Sequence, residues 1–128
     1  MKKLILIACI ALVAAGCYND KGDKLYPAPA SVTCDTTVVT FAKDIQPILT
    51  ASCNISGCHN TAGAPSSGGY DFTSYSAVHT VAVSPDNMLL GDINWESGHS
   101  PMPKGLPKLP QCDIDKITRW VNLGALNN

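Results

Sequence analysis

The chain has 128 residues, 45% of them hydrophobic, and a formal net charge of −1, which describes one small globular domain with a single core. No cluster of basic residues exists beyond Lys2 and Lys3, so the composition excludes a nucleic-acid-binding surface. Only 6% of the residues are aromatic, and domains of this size usually need a crosslink, a metal or a cofactor, which makes the six cysteines the first feature to explain.

The amino terminus has the pattern of a signal peptide. A lysine pair follows the first residue, Leu4–Ala15 is an apolar run, and small residues end that run before Cys17. The run is shorter than the roughly 20 residues that a transmembrane helix needs. A buried core helix would leave the lysine pair and the polar stretch that follows unexplained. We therefore predict a signal peptide over residues 1–16, which leaves Cys9 without a role in the mature protein.

The small residues before Cys17 resemble the lipobox of bacterial lipoproteins, in which the cysteine is acylated and becomes the first residue of the mature chain. The resemblance implies that Cys17 is lipidated and anchors the protein to a membrane. Ala14 stands where leucine is commonest, so cleavage without lipidation is the alternative. Tyr18 is not the aspartate that retains such proteins at the inner membrane, which implies an outer-membrane lipoprotein facing the periplasm or the cell surface.

Residues 17–33 are predicted to be a lipid-anchored flexible tether. They are polar or rich in proline and alanine, and they show no apolar periodicity. Fully extended, the segment after the anchor could reach about 50 Å, at about 3.3 Å per residue. The folded domain is predicted over residues 34–128.

A first helix is predicted in front of the next two cysteines. Its apolar face consists of Phe41, Ile45, Ile48 and Leu49. Pro47 has no amide hydrogen and would interrupt a long helix. Either Asp44 is the N-cap, so that Pro47 falls in the first turn where no bond is lost, or the helix begins at Thr40 and is kinked.

Cys53, Cys58 and His59 form the most informative motif of the chain. Two cysteines a short loop apart can each form a thioether with a haem vinyl group, and a histidine directly after the second can bind the iron as an axial ligand. The usual spacing is two residues between the cysteines, whereas four separate them here. Gly57 can adopt a positive φ where the longer loop must turn back.

Three interpretations of this motif compete. The first is covalent attachment of haem c, with its iron bound by His59. The second is a local disulfide between Cys53 and Cys58, with His59 on the surface. The third is a zinc site, but zinc needs four ligands and no second pair at ligand spacing follows downstream. The sequence favours haem.

Further helices are predicted beyond the motif. Asn60–Gly69 is a loop rich in glycine, serine and alanine. Asp71–Ala82 has a short helical pattern, and Ser84 and Pro85 suit the N-cap and first position of a helix over Asp86–Leu90. We expect four or five helices and little strand.

The final helix is predicted over Cys112–Leu123. Acidic residues in its first turn and basic residues later suit the helix dipole, and Gly124 provides an end. We expect Trp120 to pack between the first helix and the cofactor. The apolar face comprises Ile114, Ile117, Trp120 and Val121.

Three stretches of the sequence carry a family resemblance. Phe41–Leu49 before the cysteine motif, Ser100–Gly105 around Met102, and the final helix ending at Trp120 resemble small monohaem cytochrome c domains of bacterial lipoproteins. The resemblance covers residues 34–128, and such domains with four residues between the cysteines are familiar. It implies an all-α, class I cytochrome c-like fold in which the first and last helices cross and connecting segments enclose the haem edge.

Met102 is the predicted sixth ligand of the haem iron. Thioether and imidazole both bind haem iron, so the candidates are Met88, Met102, His79 and His99. Prolines flank Met102 on both sides and restrict its backbone, and it precedes the final helix as in the resembled family. His99 is the alternative ligand. Met88 suits the core, and His79 suits a polar surface.

Cys34 and Cys112 remain once the other four cysteines are assigned. An even remainder in an oxidising compartment predicts a disulfide between them. Closing the intervening loop would stabilise the fold by about 4 kcal/mol in the chain-entropy model.

The predicted function is electron transfer by a membrane-anchored c-type cytochrome without enzymatic activity. Its partners would be redox proteins and, through the lipid anchor, a membrane, and we expect a monomer. One alternative is a haem-free lipoprotein with a structural or binding role, stabilised by the disulfide. The other is a haem sensor or enzyme with an open axial site.

Overall fold

The computed structural model describes residues 33–128. The predicted signal peptide, the anchor Cys17 and all but the last residue of the tether lie outside this range. The described chain contains four α-helices and no strand, as the all-α prediction requires, and none of these helices is long and apolar enough to cross a membrane. The helices are α1 (Gln46–Ser52), α2 (Tyr75–Ala82), α3 (Met88–Asn94) and α4 (Gln111–Asn122).

A π-helical turn, Phe41–Ile45, leads directly into α1. In this wider turn the amide of Ile45 bonds to the carbonyl of Thr40 at 3.3 Å. Pro47 is the second residue of α1, directly after the π-turn, and this wider turn accommodates a residue that has no N–H to donate. The helical segment thus begins after Thr40, the second alternative, and the kink takes the form of a π-turn. Asp44 is not the N-cap.

Asp44 nevertheless stabilises the start of this segment. Its Oδ2 accepts a hydrogen bond from the backbone N–H of Thr40 at 3.0 Å, and its Oδ1 lies 3.2 Å from Nζ of Lys116 on α4. The Thr40 bond, with a further contribution from Lys116, lowers the pKa of the Asp44 carboxyl. Asn128 accepts from the free amides of Phe41 and Ala42 at 2.9 and 3.0 Å. The first helical segment is therefore attached to α4 and to the carboxyl-terminal residue.

The aromatic centre of the core joins the same elements. Trp120 of α4, only 1% exposed, packs on Phe41 with ring centroids 5.5 Å apart, and its Nε1 donates to the carbonyl of Leu126 at 2.9 Å. Tyr75 meets Phe41 edge-on at 5.0 Å. Trp120 thus packs against the first helix as predicted. The other predicted face residues of α4 are Ile114 and Ile117, which are buried, and Val121, which is partly buried.

A disulfide joins Cys34 to Cys112 across 78 residues of sequence. The sulfur atoms are 2.12 Å apart and the Cα atoms 5.3 Å apart. The prediction of this pairing is confirmed, and it fastens the start of the described chain to the first turn of α4.

The two middle helices begin later than predicted. Ser74 is the N-cap of α2 and accepts from the amide of Ala77 at 3.4 Å. The helix predicted over Asp86–Leu90 starts two residues later, at Met88, because Asn87 adopts the left-handed conformation, with φ 56°. The Ser84 hydroxyl still accepts from the amide of Met88 at 2.9 Å, so it caps this helix from one turn away.

Candidate haem-attachment site

The cysteine motif begins where α1 ends. Cys53 is the C-cap of α1, and its amide donates to the carbonyl of Leu49 at 2.8 Å. The chain then turns so that the amide of His59 donates to the carbonyl of Cys53 at 3.0 Å. Gly57 has φ +80° at the turn, so the predicted use of glycine here is confirmed. The four intervening residues thus form a closed loop that brings His59 back to Cys53.

Both motif cysteines are free thiols, and each is half-buried. The alternative interpretation, a disulfide between them, is therefore not what the structure contains. Burial, with a smaller contribution from neighbouring Cys58, raises the pKa of the Cys53 thiol to about 11. Cys53 is consequently a neutral thiol at pH 7.

His59 is held by two contacts that fix both its proton and its plane. Nδ1 lies 3.1 Å from the carbonyl oxygen of Tyr70. A carbonyl oxygen only accepts, so this bond requires the proton on Nδ1 and leaves the lone pair on Nε2. The ring stacks on Phe72 with centroids 4.4 Å apart and planes 11° apart, and the Phe72 amide donates to the His59 carbonyl at 2.8 Å. Histidines that bind metals are usually oriented by such a bond from their other nitrogen.

Gly63 packs directly against the backbone of the motif. A Cβ on Gly63 would lie 2.6 Å from the nitrogen of Cys58 and 2.6 Å from the carbonyl carbon of Gly57. Its φ of −89° is open to any residue, so the close approach alone requires glycine. Ser67 reinforces the contact by donating to the carbonyls of Cys58 and Gly63 at 2.9 and 3.1 Å. This support was missed in the sequence, because Gly63 looks no different from the glycines that follow it in the same loop.

Asn54, between the two cysteines, contributes an unpartnered acceptor. Its Nδ2 donates to the carbonyl of Phe72 at 3.1 Å, whereas its buried Oδ1 has no hydrogen-bond partner among the described residues. Two free thiols, an imidazole with an available Nε2 and this oxygen therefore lie on one short loop. The donor set fits a haem held by two thioethers and one axial nitrogen.

Met102 is fastened to the end of α3 through its backbone. Its amide donates to the carbonyl of Asp92 at 3.0 Å, and its carbonyl accepts from Nε1 of Trp95 at 2.8 Å. The hydrogen-bond partners of His59 are different residues, all of them between residues 53 and 72. Among the described residues no hydrogen bond joins His59 to Met102. The role of Met102 as sixth ligand stays a prediction.

The other candidate ligands have structural contacts of their own. The ring of His99 packs against Gly91 of α3, and its Nδ1 lies 3.4 Å from Oδ1 of Asp92. Met88 is packed against the core, as predicted. His79 is half-buried and lies 5.4 Å from the ring of Tyr75, so it is less exposed than predicted.

The described residues do not support the zinc interpretation. Within residues 33–128 no group of three or more histidine, cysteine, aspartate or glutamate side chains could hold a metal ion.

Comparison with known proteins gave no match to a protein-family model, a curated protein or a solved structure.

Proposed function

We propose that this chain is an electron-transfer c-type cytochrome with a cytochrome c-like fold. Cys53 and Cys58 hold one haem covalently, His59 is its proximal axial ligand, and Met102 is the sixth. The protein is a lipoprotein anchored through Cys17 in the outer membrane, and it exchanges electrons with redox partner proteins rather than catalysing a reaction of its own.

The observation that carries the proposal is the state of His59. The imidazole follows two free thiols, donates its Nδ1 proton to the Tyr70 carbonyl and stacks on the ring of Phe72. A surface histidine beside a disulfide would need neither contact. Donation from Nδ1 to a carbonyl also raises the basicity of Nε2, which makes it a better metal ligand.

When bound, haem supplies a one-electron couple between ferric and ferrous iron. The protein's contribution is to hold and enclose it. The loop between Cys53 and His59 is closed by a backbone hydrogen bond, and Gly63 packs against its backbone, so both attachment points would lie on a well-supported segment. The contact between the first helical segment and Trp120 of α4 supports the cytochrome c-like arrangement of first and last helices.

Occupancy of the sixth position separates an electron carrier from a sensor or enzyme. A carrier needs both axial positions filled, whereas ligand sensing or catalysis needs one that is open or labile. Met102 favours the carrier because its backbone is bonded on both sides to α3, so a side chain on this fixed support loses little entropy on binding.

The test is the absorption spectrum of protein produced with a cytochrome c maturation system. The proposal expects a red protein whose pyridine-haemochrome spectrum is that of a thioether-linked haem, with no change when carbon monoxide is added to the reduced form. A Cys53→Ser/Cys58→Ser variant, which keeps the disulfide cysteines, is the matched control and should be colourless. A colourless wild type contradicts the proposal, and ready binding of carbon monoxide favours a sensor or enzyme.

A further inference from the structure

The backbone of Met102 is hydrogen-bonded to the carboxyl-terminal end of α3. The Asp92 carbonyl accepts from the Met102 amide, and the Trp95 indole donates to the Met102 carbonyl. Trp95 itself has φ +62°, a left-handed conformation that is rare for so bulky a residue. Trp95, whose indole bonds to Met102, is thus the strained residue that ends α3. Strained backbone conformations of this kind are concentrated at functional sites.

A second attachment fixes the residues just before Met102. Oδ1 of Asp92 accepts from the amide of Ser100 at 3.0 Å and lies 3.4 Å from Nδ1 of His99. The side chains of His99 and Asp92 are only 21% and 20% exposed, so most of this contact lies away from solvent. One aspartate therefore contacts three residues of the loop: His99 and Ser100 through its carboxylate, and Met102 through its carbonyl.

Gly91 completes this arrangement by providing space for the imidazole. A Cβ at Gly91 would overlap the ring of His99, with Cε1, Nδ1 and Cγ as its nearest atoms. Glycine inside a helix costs about 1 kcal/mol relative to alanine, and here the ring occupies the space that alanine would fill. The ring of His99 thus occupies the space beside Gly91, and its Nδ1 lies near the carboxylate of Asp92.

We propose that Gly91 and Asp92 form a clasp that seats His99 and fixes the loop carrying Met102, so that the thioether of Met102 is held in place to bind the haem iron. This inference rests on the proposed function. The hydrogen bonds of Met102 involve only its backbone, so its thioether stays available while its position is fixed. Gly91 and Asp92 are positioning residues and need not touch the haem.

The first experiment is a double-mutant cycle of Gly91 and His99 on the haem-loaded protein. Gly91→Ala should displace the His99 ring, and with it the loop, so that the long-wavelength band of methionine-ligated ferric haem is lost. His99→Ala should keep the band because the Asp92 and Trp95 bonds to Met102 persist. The double variant Gly91→Ala/His99→Ala should regain the band, since the new methyl group then meets no ring. A band retained in Gly91→Ala, or still lost in the double variant, overturns the proposal.

The second experiment reads the clasp directly by amide hydrogen exchange. Asp92→Ala should make exchange at the Ser100 amide about tenfold faster, whereas Asp92→Asn keeps an acceptor oxygen and should retain most of the protection. Equal exchange in the two variants contradicts the clasp. Exchange is measured on the haem-free full chain and on the haem-loaded protein, so the test of the clasp is separate from the test of the proposed function. Absence of covalent haem in the wild type contradicts the proposed function, and the exchange comparison still tests whether Asp92 fixes the loop.

Discussion

Replacing Gly63 by alanine tests whether the attachment loop depends on a close backbone contact. The added Cβ would overlap the carbonyl oxygen of Cys58, its nearest neighbour, and would lie 2.6 Å from the nitrogen of Cys58, about 0.8 Å inside ordinary van der Waals distance. The obstructing atoms are backbone, so the segment 57–59 must move as a unit. Overpacking of this kind costs about 1–3 kcal/mol, and the loop bond from Ser67 to Cys58 would weaken with it. We expect a loss of about 2 kcal/mol in the free energy of unfolding, which corresponds to roughly 10 °C in Tm.

The assay combines denaturant unfolding with amide exchange on the haem-free chain. Gly124→Ala is the matched control: Gly124 has φ +92° and open space around a Cβ, so alanine there strains the backbone by about 1–2 kcal/mol without contacting the motif. Exchange at the amides of His59 and Phe72 should accelerate in Gly63→Ala beyond what the control shows. Stability within 0.5 kcal/mol of wild type in Gly63→Ala, or equal exchange in the two variants, would show that the attachment loop does not depend on this contact.

Four further predictions follow from the remaining contacts and from the sequence. Met102→Ala should leave the haem attached, lower its reduction potential and open the site to carbon monoxide, as voltammetry and spectra will show. The Cys34→Ser/Cys112→Ser variant should lose about 4 kcal/mol in denaturant unfolding, and an unchanged midpoint would deny the crosslink a stabilising role. Because the folded-state pKa of Asp44 is lowered, its stabilisation is present above its unfolded pKa near 3.8 and is lost as pH falls through the lower folded value. Asp44→Asn should therefore destabilise the protein by about 1 kcal/mol at pH 7 and by progressively less below pH 4. Denaturant unfolding of the wild type and the variant, at pH 7 and below pH 4, measures this difference. Cys17→Ser should move the protein from the membrane to the soluble periplasmic fraction, and continued sedimentation with membranes would show that lipidation is not its anchor.

Features governed by local patterns could be predicted from the sequence. The helical periodicity of α4 places Ile114, Ile117 and Trp120 in the core, because a mostly polar helix must bury its one apolar face. The pairing of Cys34 with Cys112 could be predicted because these two cysteines remain once the other four are assigned. The positive φ of Gly57 follows from the length of the loop between the motif cysteines.

Features governed by contacts between distant backbones could not be predicted. Gly63 and Gly91 are required by the chain or ring that packs against them, and a glycine in a loop or helix carries no sign of its neighbour. The partner of His59 is the carbonyl of Tyr70, a group that every residue has, so no sequence pattern marks it. Asn87 shifts the start of α3 through a left-handed conformation that the preceding Ser84 and Pro85 gave no reason to expect.

Covalent haem on Cys53 and Cys58 can be tested by the intact mass of the denatured protein. After reduction and acid–acetone extraction, wild-type protein from cells with a cytochrome c maturation system should be heavier than its polypeptide by one haem, and neither motif thiol should react with iodoacetamide. Cys53→Ser should retain at most a single thioether and lose haem more readily. A wild-type mass equal to that of the polypeptide alone, with Cys53 and Cys58 both alkylated, would contradict the account.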